Sequence, residues 1–85
     1  MNITAHDQTN RQRTITFRTP DDAIAKALAS HEGYSWRVSR STALRVGRVS
    51  KNGLTVRTPD GPLDVLIQQD GPGNNDFLIT LCPVL

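Results

Sequence analysis

Residues 44–57 read Leu44-Arg45-Val46-Gly47-Arg48-Val49-Ser50-Lys51-Asn52-Gly53-Leu54-Thr55-Val56-Arg57, and what this stretch becomes decides the architecture of the chain. Leu44 and Val46 share one strand face, whereas Val49 falls on the opposite parity unless an extra residue is inserted, which Gly47 can supply as a bulge. Asn52-Gly53 is the strongest short-range hairpin signal in the sequence, because a type I′ turn needs positive φ at both central positions. Pairing about it sets Val49 opposite Val56 and Arg48 opposite Arg57. The stretch is therefore expected to contribute two antiparallel strands.

Upstream, Tyr34, Trp36 and Val38 alternate with Ser35, Arg37 and Ser39, the period-two pattern of a half-buried strand. Before it, Thr19-Pro20-Asp21-Asp22 has the form of a helix start, with Thr19 as N-cap, Pro20 where a missing N–H costs nothing, and acids facing the positive end of the dipole. Ala23, Ile24, Ala27 and Leu28 give that helix an apolar stripe, and Gly33 terminates it after about His31. Thr14 to Arg18 alternates as a further strand, and residues 1–12 are polar enough to read as a flexible arm ahead of a single domain over 13–85. Downstream, Leu63, Val65 and Ile67 alternate with Asp64, Leu66 and Gln68, Asp70 to Asp76 is nearly all turn residues, and Phe77 to Cys82 is a strongly apolar strand. Arg-Thr-Pro-Asp occurs at 18–21 and again at 57–60, but Asp22-Ala23 continues the first copy into a helix whereas Gly61-Pro62 turns the second, so no internal repeat is inferred.

The resulting order is β-α-β-β-β-β-β, an α+β fold with a small, mainly antiparallel sheet or partly closed barrel of about six strands and one helix after the first strand. Leu66 and Leu78 sit on the strand faces opposite Val65 and Phe77. A second layer, barrel closure or a second copy of the chain is expected to cover them, and homodimerisation through Leu66 and Leu78 is one way to do so.

Eighty-five residues support one core, and a thin one, since folding at this size hides only about 63% of the unfolded surface. Hydrophobic residues at 36% and charged residues at 21% with a net charge of +2 lack the signature of disorder. The single cysteine, Cys82, excludes an internal disulfide framework, and no apolar run approaches the length of a membrane span, so a soluble, cytoplasmic protein is expected. His6, His31 and Cys82 are too far apart for a local zinc spacing, and neither a metal nor a cofactor is expected.

The sharpest feature is the segregation of charge. Gly33 to Pro59 holds Arg37, Arg40, Arg45, Arg48, Lys51 and Arg57 with no acid, and the sequence from Asp60 onward holds Asp60, Asp64, Asp70 and Asp76 with no base. Such a local positive potential suits a polyanion. On an exposed sheet face these bases could meet phosphates, with Tyr34 or Trp36 as stacking platforms, and Arg48 facing Arg57 would call for a neutralising anion. The alternative is that Asp60 and Asp64 neutralise the arginines in surface pairs and that Tyr34 and Trp36 belong to the core.

Enzyme signatures are weak: no Gly-x-Ser-x-Gly turn occurs, Gly71-Pro72-Gly73 lacks the lysine of a phosphate loop, and Cys82 sits in an apolar strand. The expected function is a non-enzymatic binding module that contacts nucleic acid through its basic segment. The alternatives are a protein-binding inhibitor or adaptor that uses the same arginines on an acidic protein surface or the apolar strands Leu63 to Gln68 and Phe77 to Cys82 as an interface, a small homodimeric protein, and, third, a small enzyme or ligand-binding barrel.

Overall fold

The computed structural model describes residues 1–49 and 53–84. The elements are β1 (Asn2–Asp7), β2 (Thr14–Arg18), α1 (Ala23–Leu28), β3 (Tyr34–Val38), α2 (Arg40–Val49), β4 (Leu54–Thr58), β5 (Gly61–Gln69) and β6 (Phe77–Pro83). Every pairing is antiparallel, and the strands follow the order β2-β1-β4-β5-β6-β3 in one six-stranded half-barrel. The α+β class and the antiparallel sheet agree with the sequence, but the order is β-β-α-β-α-β-β-β.

Two changes produce that difference. The first is at the N-terminus, where residues expected as an arm form β1 between β2 and β4. Ile3, Ala5 and Asp7 point inward, with Ile3 opposite Phe17 and Ala5 opposite both Ile15 and Val56. Only two of the three inward residues are apolar, which is why the alternation is faint in the sequence. The third, Asp7, is buried, and its carboxylate accepts hydrogen bonds from the Thr9 amide and hydroxyl at 2.8 Å each and from the Asn10 amide at 3.3 Å. A buried carboxylate satisfied by the turn that follows it closes the β1–β2 hairpin at little desolvation cost.

The second change is α2. Residues 40–49 are a helix, so Gly47 is no bulge, Val49 does not face Val56 and Arg48 does not face Arg57. Arg57 pairs instead with Pro62 of β5. Ala43 and Val46 are buried three residues apart, with Thr42, Gly47 and Val49 half-buried beside them, so one helical stripe takes in both Val46 and Val49, which a strand could place on one face only with an inserted residue, while Leu44 is left exposed. The Ser39 hydroxyl accepts from the Thr42 amide at 3.3 Å, the N-cap bond three residues ahead. Asn52 of the expected Asn52-Gly53 turn lies outside the described residues, and Gly53 has φ of +86° just before β4. The hairpin that is present joins β4 to β5 through Thr58-Pro59-Asp60-Gly61, where the Thr58 hydroxyl donates to the Gly61 carbonyl at 2.6 Å.

Helix α1 is shorter than expected. Thr19 does not cap it: this side chain is buried, and its hydroxyl donates to the carbonyls of Met1 and Pro20. The N-cap is Asp22, and the Asp22 carboxylate pairs with Lys26 at 3.0 Å. Beyond α1 the chain turns through Gly33, at φ of +81°, into β3.

The core fills the inner face of the half-barrel. There Leu54 opposes Val65, Val56 opposes Leu63 and Val65 opposes Leu81, with Phe17 from β2 and the small residues Ala23, Ala27 and Val46 of the helices completing it. Small residues let both helices approach the sheet closely, α1 over β3 and β6, and α2 between β2 and β6. The outer face carries no helix, and along the strands buried inward residues alternate with outward ones that are mostly polar, as expected of a half-solvated antiparallel sheet. No helix is long and apolar enough to cross a membrane among the described residues.

Candidate functional site

Helix α2 gathers three of the six bases singled out in the sequence. Arg40, Leu44 and Arg48 succeed one another at intervals of four on the exposed side, with Ser41 and Arg45 in the adjacent row and Ala43 and Val46 on the buried side. Arg40 and Arg48 are separated by about 12 Å along the axis at the helical rise. No acid lies in the first turn, and none of these three guanidiniums has an ion pair among the described residues. The helix is anchored at its start by the Arg40 amide, which donates to the Asn74 carbonyl at 2.7 Å.

The other bases are elsewhere. Arg37 is on the outer face of β3 and is neutralised by Asp70 at 3.0 Å and Asp76 at 3.3 Å, so the acidic C-terminal segment does quench one arginine, through its loop rather than through Asp60 or Asp64. Asp64 accepts from Gln8 instead, at 3.1 Å. Arg57 is exposed on the outer face of β4, and Lys51 lies outside the described residues. The basic segment is thus split across the sheet, and the single sheet face expected to carry it does not form.

Tyr34 and Trp36 are on the inner side of β3, half-buried against the core. Their rings stack on each other, 6.0 Å between centroids and 25° between planes, and Lys26 sits 5.1 Å over the Tyr34 ring. The Asp22 carboxylate beside Lys26 holds its ammonium above the usual lysine range and is itself held below the usual carboxylate range. Each ring thus packs against the other, with a cation over Tyr34, while Trp36 also borders a groove on the surface.

Leu66 and Leu78 share the outer face of β5 and β6, with Leu66 opposite Thr80 and Leu78 opposite Gln68. Leu66 is 53% exposed, so the half-barrel does not bury it within itself.

Three concavities mark the surface. A groove of about 440 Å³ on the outer face is bordered by His6, Arg11, Thr55 and Arg57. A second of about 480 Å³ lies where Arg18 at the end of β2 approaches Trp36 and Arg45. A third, of about 350 Å³, is apolar and runs between Leu44 of α2 and Ile67 and Phe77 of the sheet. His6 and Arg11 are the residues that sequence reasoning passed over. The signal that could have found them is the alternation of Ile3, Ala5 and Asp7, which makes β1 a strand and turns His6 outward.

No group of three or more His, Cys, Asp or Glu side chains is arranged to hold a metal among the described residues. Cys82 directs its thiol toward the main-chain carbonyl of His31 at 3.9 Å, and no histidine ring nitrogen bonds to it among the described residues. Comparison with protein-family models, curated proteins and solved structures finds no match to this chain.

Proposed function

We propose that the chain is a non-enzymatic nucleic-acid-binding module and that helix α2 is the element that meets the phosphates. The observation that carries this reading is the set Arg40, Arg45 and Arg48, exposed together on one helix with no carboxylate partner among the described residues, whereas Arg37 has two. Unpaired guanidiniums held on a packed helix are available to phosphate at no cost of breaking an internal pair. A helix about 10–12 Å across matches the width of the DNA major groove. Leu44, between Arg40 and Arg48 and 51% exposed, offers an apolar contact to sugar or to a thymine methyl.

The test is fluorescence anisotropy with a short duplex and a short single strand. Three phosphate contacts give a salt slope near −2.7, so affinity for the duplex should fall about 40-fold between 50 and 200 mM salt. Arg40→Gln, Arg45→Gln and Arg48→Gln together should abolish that dependence, each removing about one unit of slope. Binding of neither probe at 50 mM salt would refute the reading.

A second reading has its own observation: the apolar groove beside Leu44, lined by Ile67 and Phe77 with Arg48 at its rim, suits an acidic protein partner with an apolar anchor. In that case the wild type ignores both nucleic-acid probes.

A further inference from the structure

The groove of about 440 Å³ on the outer face lies on the side of the sheet away from α1 and α2, and it is independent of the proposed role of α2. Its polar lining comes from three chain segments, and Gly61 and Pro62 of β5 complete its wall. His6 comes from β1, Arg11 from the β1–β2 loop and Arg57 from β4, and the His6 ring Nδ1 lies 3.4 Å from the Arg11 carbonyl, which places that loop beside the ring. Neither guanidinium has an ion pair among the described residues.

Two of the nearby carboxylates have hydrogen-bond partners of their own. Asp7 borders the groove, but its side chain is buried and held by Thr9 and Asn10, and Asp64, one strand over from Thr55, accepts from Gln8. The Thr55 hydroxyl has no partner among the described residues, whereas that of Thr58 is committed to its turn. What the concavity offers a ligand is two forked cations, an imidazole and one hydroxyl donor, with the Asp7 carboxylate at its border turned into its own loop. Two guanidiniums match a dianion in charge, and their planar forks match the geometry of phosphate oxygens. The volume lies within the range of small-molecule sites and is too confined for a duplex.

We propose that this groove binds a small phosphate monoester, with Arg11 and Arg57 clamping the phosphate, Thr55 donating to its oxygens and the His6 ring flanking it. The experiment uses the full ¹⁵N-labelled chain at constant ionic strength, with phenyl phosphate as the probe and inorganic phosphate and phenol as comparison arms. Saturable shifts of the His6, Arg11, Thr55 and Arg57 amides are expected with phenyl phosphate. Arg11→Gln and Arg57→Gln should each weaken binding about tenfold, while Arg18→Gln, another exposed arginine on β2, leaves it unchanged. Both variants replace exposed side chains, and a dispersed amide spectrum before titration establishes that each is folded. Shifts that never saturate, phenol binding as well as its phosphate, or undiminished binding by the two variants would overturn the proposal. Inorganic phosphate binding as tightly as phenyl phosphate would overturn its assignment to an ester.

Discussion

Asp7 and Gly33 show how much of this small fold depends on single positions. The Asp7 carboxylate is held below the usual carboxylate range, first by the Thr9 amide and then by its hydroxyl, against the opposing effect of burial. A group whose folded pKa is depressed contributes stability that is complete above the unfolded value, near 3.8, and is lost as pH falls through the folded one. Asp7→Asn should therefore be less stable than the wild type at neutral pH and should lose less further stability between pH 5 and pH 2, as urea midpoints across that range would show; parallel acid limbs would contradict it. Gly33 adopts φ of +81°, and a β-carbon there would fall on the Leu81 carbonyl oxygen and 3.0 Å from the Leu81 carbonyl carbon and the Cys82 α-carbon. Strain in the left-handed region and a clash with β6 backbone act together, so Gly33→Ala is expected to cost at least about 2 kcal/mol in urea unfolding. An unchanged midpoint would mean that this turn is not what joins α1 to β3.

At the level of elements, the helical identity of residues 40–49 is testable at Gly47, because the two ways of reading the segment predict opposite signs. In a helix, with φ not positive and a β-carbon in ordinary contact 3.7 Å from the Ile67 side chain, Gly47→Ala should stabilise by about 0.5–1 kcal/mol. In a bulged strand the same change would destabilise. Ser39→Ala should cost about 1 kcal/mol through loss of the bond to the Thr42 amide, read by urea unfolding. Strands β2, β3, β5 and β6 were legible in the sequence because their large apolar residues alternate without interruption. Helix α2 was not, since Leu44 and Val46 satisfy strand parity and only Val49 breaks it, and Leu44 turns out to be the solvent-facing residue of the group. Strand β1 was hidden for a different reason: its inward positions include Ala5 and a carboxylate whose partners come from the following turn. The candidate site was legible in part, since Arg40, Arg45 and Arg48 carry over whereas the pairing of Arg48 with Arg57 depended on the missing hairpin.

For the whole molecule, the half-barrel leaves one sheet face without a second layer, and the accessible surface of 5425 Å² somewhat exceeds the roughly 5,000 Å² usual for a monomer of this mass. Leu66 and Leu78 are diagonal neighbours on that face, one opposite Thr80 and the other two residues away on the same strand. Weak self-association through them is expected, seen as a sedimentation coefficient that rises with concentration in the wild type and stays flat in Leu66→Lys; flat behaviour in both would assign the face to water. The inner side, by contrast, is closed by helices, and the outward surface of α2 holds three arginines without an ion pair among the described residues. Amide chemical-shift mapping of the full chain with a short DNA duplex at 50 mM salt tests that claim most directly. The account predicts perturbations concentrated at residues 40–49 and absent from Arg37, whose carboxylate partners already occupy it; a duplex that leaves residues 40–49 unmoved, or that binds through the outer face of the sheet, would contradict it.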